Sequence, residues 1–463
     1  MTTVRTCVAV WCLMLPGAAA SAGELKVGAA AVVITPPAGA PMAGYYYPRA
    51  ATGVHNDLFA TAIVLDDGAN RAAIVACDLV SLPASIVDQA RALAFQRTGI
   101  PGDHIMISAT HTHTGPSLAG QGFRSNFEGE TRRIAEQYTA ALATRIADSI
   151  ERASRAMVPA RVSTALGSEP GLAYNRRYHM ADGTVGWNPG KMNPNIVRPA
   201  GPVDPDLPVV VFSDLNGTPR AVHVSHAMHL DTVGGTEYSA DFPHTLSRLL
   251  AAAKAPELIT LFAIGCAGNV NHIDVSSPER QSSPQEAARI GTILAADVLK
   301  AWKLLTPVAN PVLRFGGERV ALPLAEVVPG DVEWATGIAA SYGRKDAAPF
   351  LDLVRAQKIL DVDGRKGQPL EAEVQVIALG GDVAWVGLPG EVFTELGMAI
   401  KRASPFRLTI VGGLANGNLG YIPDRKAYAE GAYEPISARC AAGSGERLVE
   451  AATRELIRIH GGR

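Results

Sequence analysis

The sequence predicts an α/β protein, with mixed β-sheets flanked by helices in a single large domain. Three observations predict it. Apolar, β-rich runs alternate with helix-periodic stretches through most of the chain. Of its 463 residues, 47% are hydrophobic and 19% charged, which suits a well-buried core and excludes a disordered or coiled-coil chain. The 46 glycines and 31 prolines point to a loop-rich protein rather than a helical bundle.

Taken in order, strands are expected over 25–34, 60–65 and 71–78, each an apolar run bounded by turn residues. A helix over 84–96, a strand over 104–109 and a long helix over 131–155 follow. Strands over 208–215 and 220–225 precede a helix over 242–253, a strand over 258–264 and a helix over 284–302. The remainder reads as a strand over 312–322, a helix over 350–360, strands over 372–379 and 383–388, and helices over 392–402 and 447–460. The Pro/Gly-rich stretch 182–208 is long for a structureless loop and suits a binding loop, a lid or a domain seam.

Lys plus Arg number 42 against 44 Asp plus Glu, so the net charge of -2 gives no electrostatic reason to expect nucleic acid. The N-terminus has the form of an export signal. Arg5 precedes an apolar run over 7–15, too short to span a bilayer, and Ala20-Ser21-Ala22 has the small-x-small form of a cleavage site. Residues 1–22 are therefore expected to be removed, leaving a soluble, secreted or periplasmic domain over 23–463. Cys7 and Cys12 leave with the signal. Of Cys77, Cys266 and Cys440, the last two could pair in an oxidising compartment, but three cysteines do not make a disulfide scaffold.

The histidines cluster where α/β proteins place their chemistry, in loops at strand ends. His111 and His113 directly follow the strand 104–109, and His223, His226 and His229 lie at the end of the strand 220–225. In extended structure an H-x-H pair puts both rings on one face, so both could enter one cleft and bind a metal. A hydrogen-bonded core cluster is the alternative. Glu391, after the tight turn Pro389-Gly390, is either a capping acid opening a helix or a metal-ligating carboxylate.

Together these segments resemble the neutral/alkaline, non-lysosomal ceramidase family, in that family's order. The likeness starts with Val27-Gly28, Ile34-Thr35-Pro36-Pro37 and Met42-Ala43-Gly44-Tyr45. It continues through Gly53-Val54-His55 before Leu58-Phe59-Ala60, and Ala76-Cys77-Asp78. The most specific stretch is Thr110-His111-Thr112-His113-Thr114-Gly115-Pro116, and the likeness ends with Gly413-Leu414-Ala415-Asn416 and the Tyr-rich segment to Tyr433. The resemblance implies a fold of neutral-ceramidase type and one zinc ion held by two His, one Glu and one Tyr. Carried over motif by motif, these are His111, His226, Glu391 and Tyr421. It further implies His113 as a proton-transfer group, with Tyr421 beside it, and Arg176 as a stabiliser of developing negative charge. A solvated surface arginine is the other reading of Arg176. His55, Asn271 and His272 are candidates for contact with substrate.

The chain departs from the family at Gly268-Asn269-Val270-Asn271-His272-Ile273, where Asn271 stands in place of a serine important for substrate. It also ends near the close of the catalytic domain, so the family's C-terminal immunoglobulin-like domain is expected to be absent. The leading expectation is a hydrolase that cleaves the amide of an N-acyl, ceramide-like sphingolipid with metal-activated water. The same metal hydrolase acting on a more polar ester or amide, such as an acylated sugar, is the alternative, and a binding protein that has lost catalysis is the third. The expected partners are a small-molecule or lipid substrate and peripheral contact with membrane lipid, with no nucleic acid and no protein partner.

Overall fold

The computed structural model describes residues 24–462. The expected signal segment, 1–22, lies outside the described residues. Two sheets stack face to face between two layers of helices. The larger is nine-stranded and contains β1 (Lys26–Val33), β2 (Phe59–Asp66), β3 (Arg71–Cys77), β4 (Ile105–Ala109), β5 (Val158–Ser168), β6 (Asp206–Asp214), β7 (Pro219–His226), β8 (Ile259–Ile264) and the short β9 (Thr306–Pro307). Its spatial order is β8-β7-β6-β5-β1-β2-β3-β4, with β9 paired to β5. The β3–β4 and β7–β8 pairs are parallel and the other pairs antiparallel. The smaller sheet runs β10 (Leu313–Leu322), β11 (Leu370–Leu379), β12 (Val383–Gly387), β13 (Leu408–Gly412), with only the last pair parallel.

The continuous apolar runs of the sequence are explained by burial on both faces. On β3, Ala73, Val75 and Cys77 enter the core beneath helices α1 (Ala84–Thr98) and α2 (Gly129–Arg155), while Ala72, Ile74 and Ala76 enter the layer between the sheets. Trp385 of β12 lies in that inter-sheet layer, whereas Ala384 and Val386 face the opposite core. Helices α3 (Phe242–Lys254) and α4 (Pro284–Ala301) join α1 and α2 over the large sheet. Beyond α5 (Asp331–Ala339) and α6 (Phe350–Gly364), helices α7 (Thr394–Ala403) and α10 (Ser444–His460) cover the small sheet, with the short α8 (Arg425–Glu430) and α9 (Tyr433–Ser437) between them. Gly28 lets β1 approach α2: a Cβ there would lie 2.0 Å from the Ala153 carbonyl oxygen.

The seven expected helices are present, and so are the ten expected strands. Within the two main sheets three strands were not expected: the short β9, β5 and β13. β5 is central to the large sheet, but Ser163, Thr164 and Gly167 dilute its apolar run. β13 is a five-residue run that ends in glycine. The stretch 182–208 is not structureless: Val185–Trp187 and Ile196–Pro199 flank Arg177–Met180 in a three-stranded sheet. Cys77, Cys266 and Cys440 are buried free thiols, so the Cys266–Cys440 bridge is not formed. Among the described residues no helix is long and apolar enough to cross a membrane.

Candidate metal centre

The site forms where loops from both sheets are stitched together. The loop after β4 carries His111 and His113. It bonds to the segment after β3 through the Thr110 and His111 N–H groups, which donate to the Cys77 and Leu79 carbonyls, and to the segment after β7 through His113 N–H and the Leu230 carbonyl. His111 adopts a φ of 77°, a left-handed conformation that a side chain rarely takes unless its surroundings enforce it. Gly44 presses against this loop: its φ is +97°, and a Cβ there would lie 2.5 Å from the His113 carbonyl oxygen. Glu391 and Tyr421 meet directly, because Glu391–Val392 and Tyr421–Ile422 pair as a parallel ladder with Glu391 opposite Tyr421. Glu391 therefore does not cap a helix. The chain remains extended there and the helix starts at Thr394.

His111, His113 and His229 bring ring nitrogens within 4.8 Å of one another. The Nδ1 of His111 lies 2.7 Å from the Val80 carbonyl, and the Nδ1 of His229 lies 2.9 and 3.0 Å from the Ala267 and Val270 carbonyls. Carbonyls only accept, so each Nδ1 carries the proton and each Nε2 is left as a lone-pair donor. Both Nε2 atoms lie 3.3 Å from Glu391 Oε2, which is buried without a hydrogen-bond partner. With both Nδ1 protons so committed, neutral imidazoles turn lone pairs toward a carboxylate oxygen, an arrangement that a cation, or a proton shared between His111 and Glu391, relieves. Two imidazoles, a carboxylate and a buried phenol are a donor set that suits zinc, and these residues fit a metal ion.

The carboxyl and the imidazoles act on one another. Burial would raise the Glu391 pKa, but the adjoining His111 and His229 outweigh it and hold the carboxyl well below the usual range; against its own burial, His111 is in turn raised by Glu391. Burial pushes the Tyr421 phenol well above its ordinary value. His113 is lowered to about 3 by burial and by the neighbouring His111, so it is a neutral imidazole. It lies on the cleft side of the cluster, its Nε2 3.3 Å from that of His111. Asp231 acts on it from behind. Burial would raise that carboxyl, but a 3.0 Å contact with His272 Nδ1 holds it well below its usual range.

His226 does not join the cluster; His229 stands in the place expected for it. On the pleat of β7, His226 shares a face with Val222 and Val224, and both its ring nitrogens are buried without partners in the field of Asp204 and Lys401. The strand ends there, and the chain turns before His229. Arg176 is neither a surface residue nor on the cleft wall. Its guanidinium donates to Glu434 at 2.8 Å and to the Gly268 carbonyl at 2.7 Å, and faces His229 Nε2 at 3.1 Å. It lies 5.4 Å from the centre of the Tyr421 ring, so its place is to hold two of the cluster's members. Asn271 is buried and bonds to Asn188 and to the Ile273 N–H, outside the cleft. His272 reaches the site only through Asp231. His55 is exposed at the surface and is not brought to the site.

Sequence reasoning missed Asp231, Glu434 and Tyr433. Glu434 is fully buried and joins Arg176 to Arg177, while the Tyr433 ring lies 5.2 Å from that of Tyr421. A cleft of about 870 Å³ opens beside the cluster, lined by His111, His113, Glu391, Tyr421 and Tyr433 among others.

Residues 25–179 match the family model described as neutral/alkaline non-lysosomal ceramidase, N-terminal. A neutral ceramidase of Pseudomonas aeruginosa is 24% identical over 449 residues, an alignment covering 82% of this chain and 64% of that protein. The chain thus spans less than two thirds of that relative's length. The crystal structure of neutral ceramidase from Pseudomonas aeruginosa superposes with a TM-score of 0.73 at 18% identity, covering 96% of this chain and 75% of that one. A ceramidase complexed with C2 gives 0.71 at 18% identity, covering 95% and 76%. The resemblance read from the motifs is borne out, and so is the mixed α/β fold.

Proposed function

We propose that this protein is a zinc-dependent hydrolase that cleaves the amide bond of an N-acyl lipid, ceramide or a close chemical relative, after export directed by residues 1–22. The observation that carries the reading is the unpartnered Glu391 Oε2 between the two Nε2 lone pairs of His111 and His229, in a chain that resembles ceramidases. His111, His229, Glu391 and Tyr421 would hold the ion. Zinc bound there lowers the pKa of a water to about 7 and polarises a carbonyl.

The chain's own groups supply the rest. His113, neutral and on the cleft side, takes the proton of the attacking water and returns it to the leaving amine. Asp231, itself held by His272, stabilises His113 while it carries that proton. Arg176 keeps His229 and Tyr421 in place from behind. A more polar amide or ester is the second reading. It is favoured by the cleft wall, where Arg124, Arg365, Arg439 and Gln357 stand beside the apolar Ile86 and Leu118.

Metal analysis of the purified protein, paired with hydrolysis of a short-chain ceramide and a matched ester before and after chelation, tests the reading. One zinc per chain is expected, with activity lost on chelation and restored by zinc. Amide hydrolysis that persists at full rate in metal-free protein would overturn it.

A further inference from the structure

Arg124 is set apart from the other arginines of the cleft. Arg439 is paired with Asp361, its Nε 2.6 Å from the carboxylate, and Asp361 also accepts from Gln357 at 2.7 Å. Arg365 donates to the carbonyls of Gln368 and Pro369. Arg124 has no such partner: its Nε is buried without a hydrogen bond and, among the described residues, no carboxylate pairs with it. Its guanidinium stacks over the Tyr46 ring at 4.2 Å, an arrangement that leaves the in-plane N–H edge free for a ligand. Buried polar groups in folded proteins are nearly always hydrogen-bonded, so an arginine in this state inside a cleft marks a missing partner.

A second unpartnered atom stands nearby. Gln357 is 3% exposed and its Oε1, an acceptor, is buried with no donor, so it calls for an N–H or O–H on the ligand and not for the anion itself. Its amide lies under Gly122, where a Cβ would meet it at 2.4 Å, so it is only two residues along the chain from the Arg124 turn. That turn is held in advance: Ser125 Oγ accepts from Gln121 N–H at 2.6 Å and donates to the Gly122 carbonyl at 2.9 Å. Phe123 sets its ring edge-on to Tyr342, 5.4 Å between centroids. Arg124 lines the same cleft as His111, His113, Glu391 and Tyr421, on the wall that also carries Tyr46 and Tyr433.

We infer that Arg124 is an anion-binding, specificity-determining residue, and that the cleft takes an acyl amide or ester carrying a negatively charged group, a carboxylate or sulfonate, close to the scissile bond. The inference rests on the hydrolase reading above and favours its second, more polar substrate class over ceramide. A neutral sphingoid amide offers the guanidinium only neutral carbonyl and hydroxyl oxygens, which are weaker acceptors than an ionised group. A planar carboxylate meets the arginine fork with two parallel hydrogen bonds, and a sulfonate also offers two oxygens to it.

The test uses the zinc-loaded full chain and amides sharing one acyl group: N-dodecanoyl glycine, N-dodecanoyl taurine, the neutral N-dodecanoyl glycinamide, and the ceramide with the same chain. Charge-assisted hydrogen bonds predict a kcat/KM about 10- to 100-fold higher for the anionic amides than for glycinamide, carried mainly by KM. The two anionic arms distinguish carboxylate from sulfonate. In Arg124→Gln the anionic-to-neutral ratio falls to about one, and Arg124→Lys, which keeps the charge but not the fork, retains part of it. If glycinamide or ceramide is cleaved as well as the anionic amides by the wild type, or the preference survives in Arg124→Gln, the inference falls while the hydrolase reading stands. If no amide is cleaved, the hydrolase reading falls. Calorimetry with octanesulfonate and octanol then decides the anion site: sulfonate-selective binding that Arg124→Gln abolishes supports it, and equal binding of the two, or binding unchanged in the variant, overturns it.

Discussion

Replacing Glu434 with glutamine separates a built metal centre from a chance gathering of polar side chains. Glu434 is fully buried, and its oxygens accept from Arg176 Nε at 2.8 Å and Arg177 Nη1 at 2.9 Å. Glutamine keeps the shape, removes the charge and turns a donor toward a guanidinium. Removing one partner of a buried ion pair costs about 3–5 kcal/mol, because the other charge is left uncompensated. Arg177 retains Glu430 at 3.2 Å and the Gly431 carbonyl at 2.9 Å, which places the cost at the lower end, about 3 kcal/mol. With 463 residues, and an unfolding entropy of about 2.1 cal/mol/K for each, Tm falls by roughly 3 °C. Because Arg176 also faces His229 and Tyr421, zinc affinity falls with it, by the roughly 10- to 100-fold that losing a supporting residue costs. Thermal unfolding gives the first number and competition with a chelating dye gives the second. A Tm within about 1 °C of wild type, with unchanged zinc affinity, would refute the claim that this triad supports the site. Glu430→Gln, which removes a less buried carboxylate that pairs with Arg177 and not with Arg176, serves as the control and should lower Tm less and leave zinc affinity unchanged.

Two further outcomes are expected. His229→Ala should lose zinc by more than the 10- to 100-fold of a supporting residue, whereas His226→Ala keeps full zinc stoichiometry and loses only stability; equal zinc loss in the two would put the ligand back at His226. Asp78 should make stability fall as pH rises. Burial raises its carboxyl from 3.8 to about 7 despite hydrogen bonds from the Phe59 N–H and the Thr110 hydroxyl. Between those values the folded chain keeps a proton that the unfolded chain has lost, so stability is greater at the acid end of the window and declines toward neutrality. Asp78→Asn does not titrate; its amide oxygen accepts from the Phe59 N–H while its amide N–H donates to the Thr110 hydroxyl, and it should flatten that slope in denaturant unfolding across about pH 4–7; an undiminished slope would assign it to another group.

Most of the scaffold was legible because both faces of most strands are buried, so strands such as β2 and β3 spell continuous apolar runs. The central β5 was not, since serine, threonine and glycine occupy positions where neighbouring strands do the covering. In the site, the motif around His111 and the turn before Glu391 were legible as chemistry, but direction was not. The spacing of His223, His226 and His229 does not choose among them, and the choice of His226 came from carrying the family's motif onto Ser225-His226-Ala227. The chain leaves the strand at that residue, and His229 acquires its orientation from the Ala267 and Val270 carbonyls of a different segment. Glu434 and Arg124 read in the sequence as ordinary loop charges. Only the fold shows that one is buried between two arginines and the other faces a cleft without a partner.

The way the loops are joined explains how residues so far apart in sequence can hold one geometry. Each ligand-bearing segment follows a strand, and β-bridges tie these segments to one another and to the sheets. Thr112 pairs with Leu230, Ser108 with Ala415, Gly265 with Gly412, and Glu391 with Tyr421. Three of these bridges tie the large sheet to itself or to the small one, and the fourth sets two donors of the site side by side. Loops are the least stable parts of most folds. Here the bridges transfer the rigidity of both sheets to the loops, which lets His111 persist at a φ of 77° and keeps the uncapped Glu391 oxygen aimed between two lone pairs. The strain and the unmatched acceptor are costs that folding alone does not require. They are intelligible as the preorganisation of a cation site.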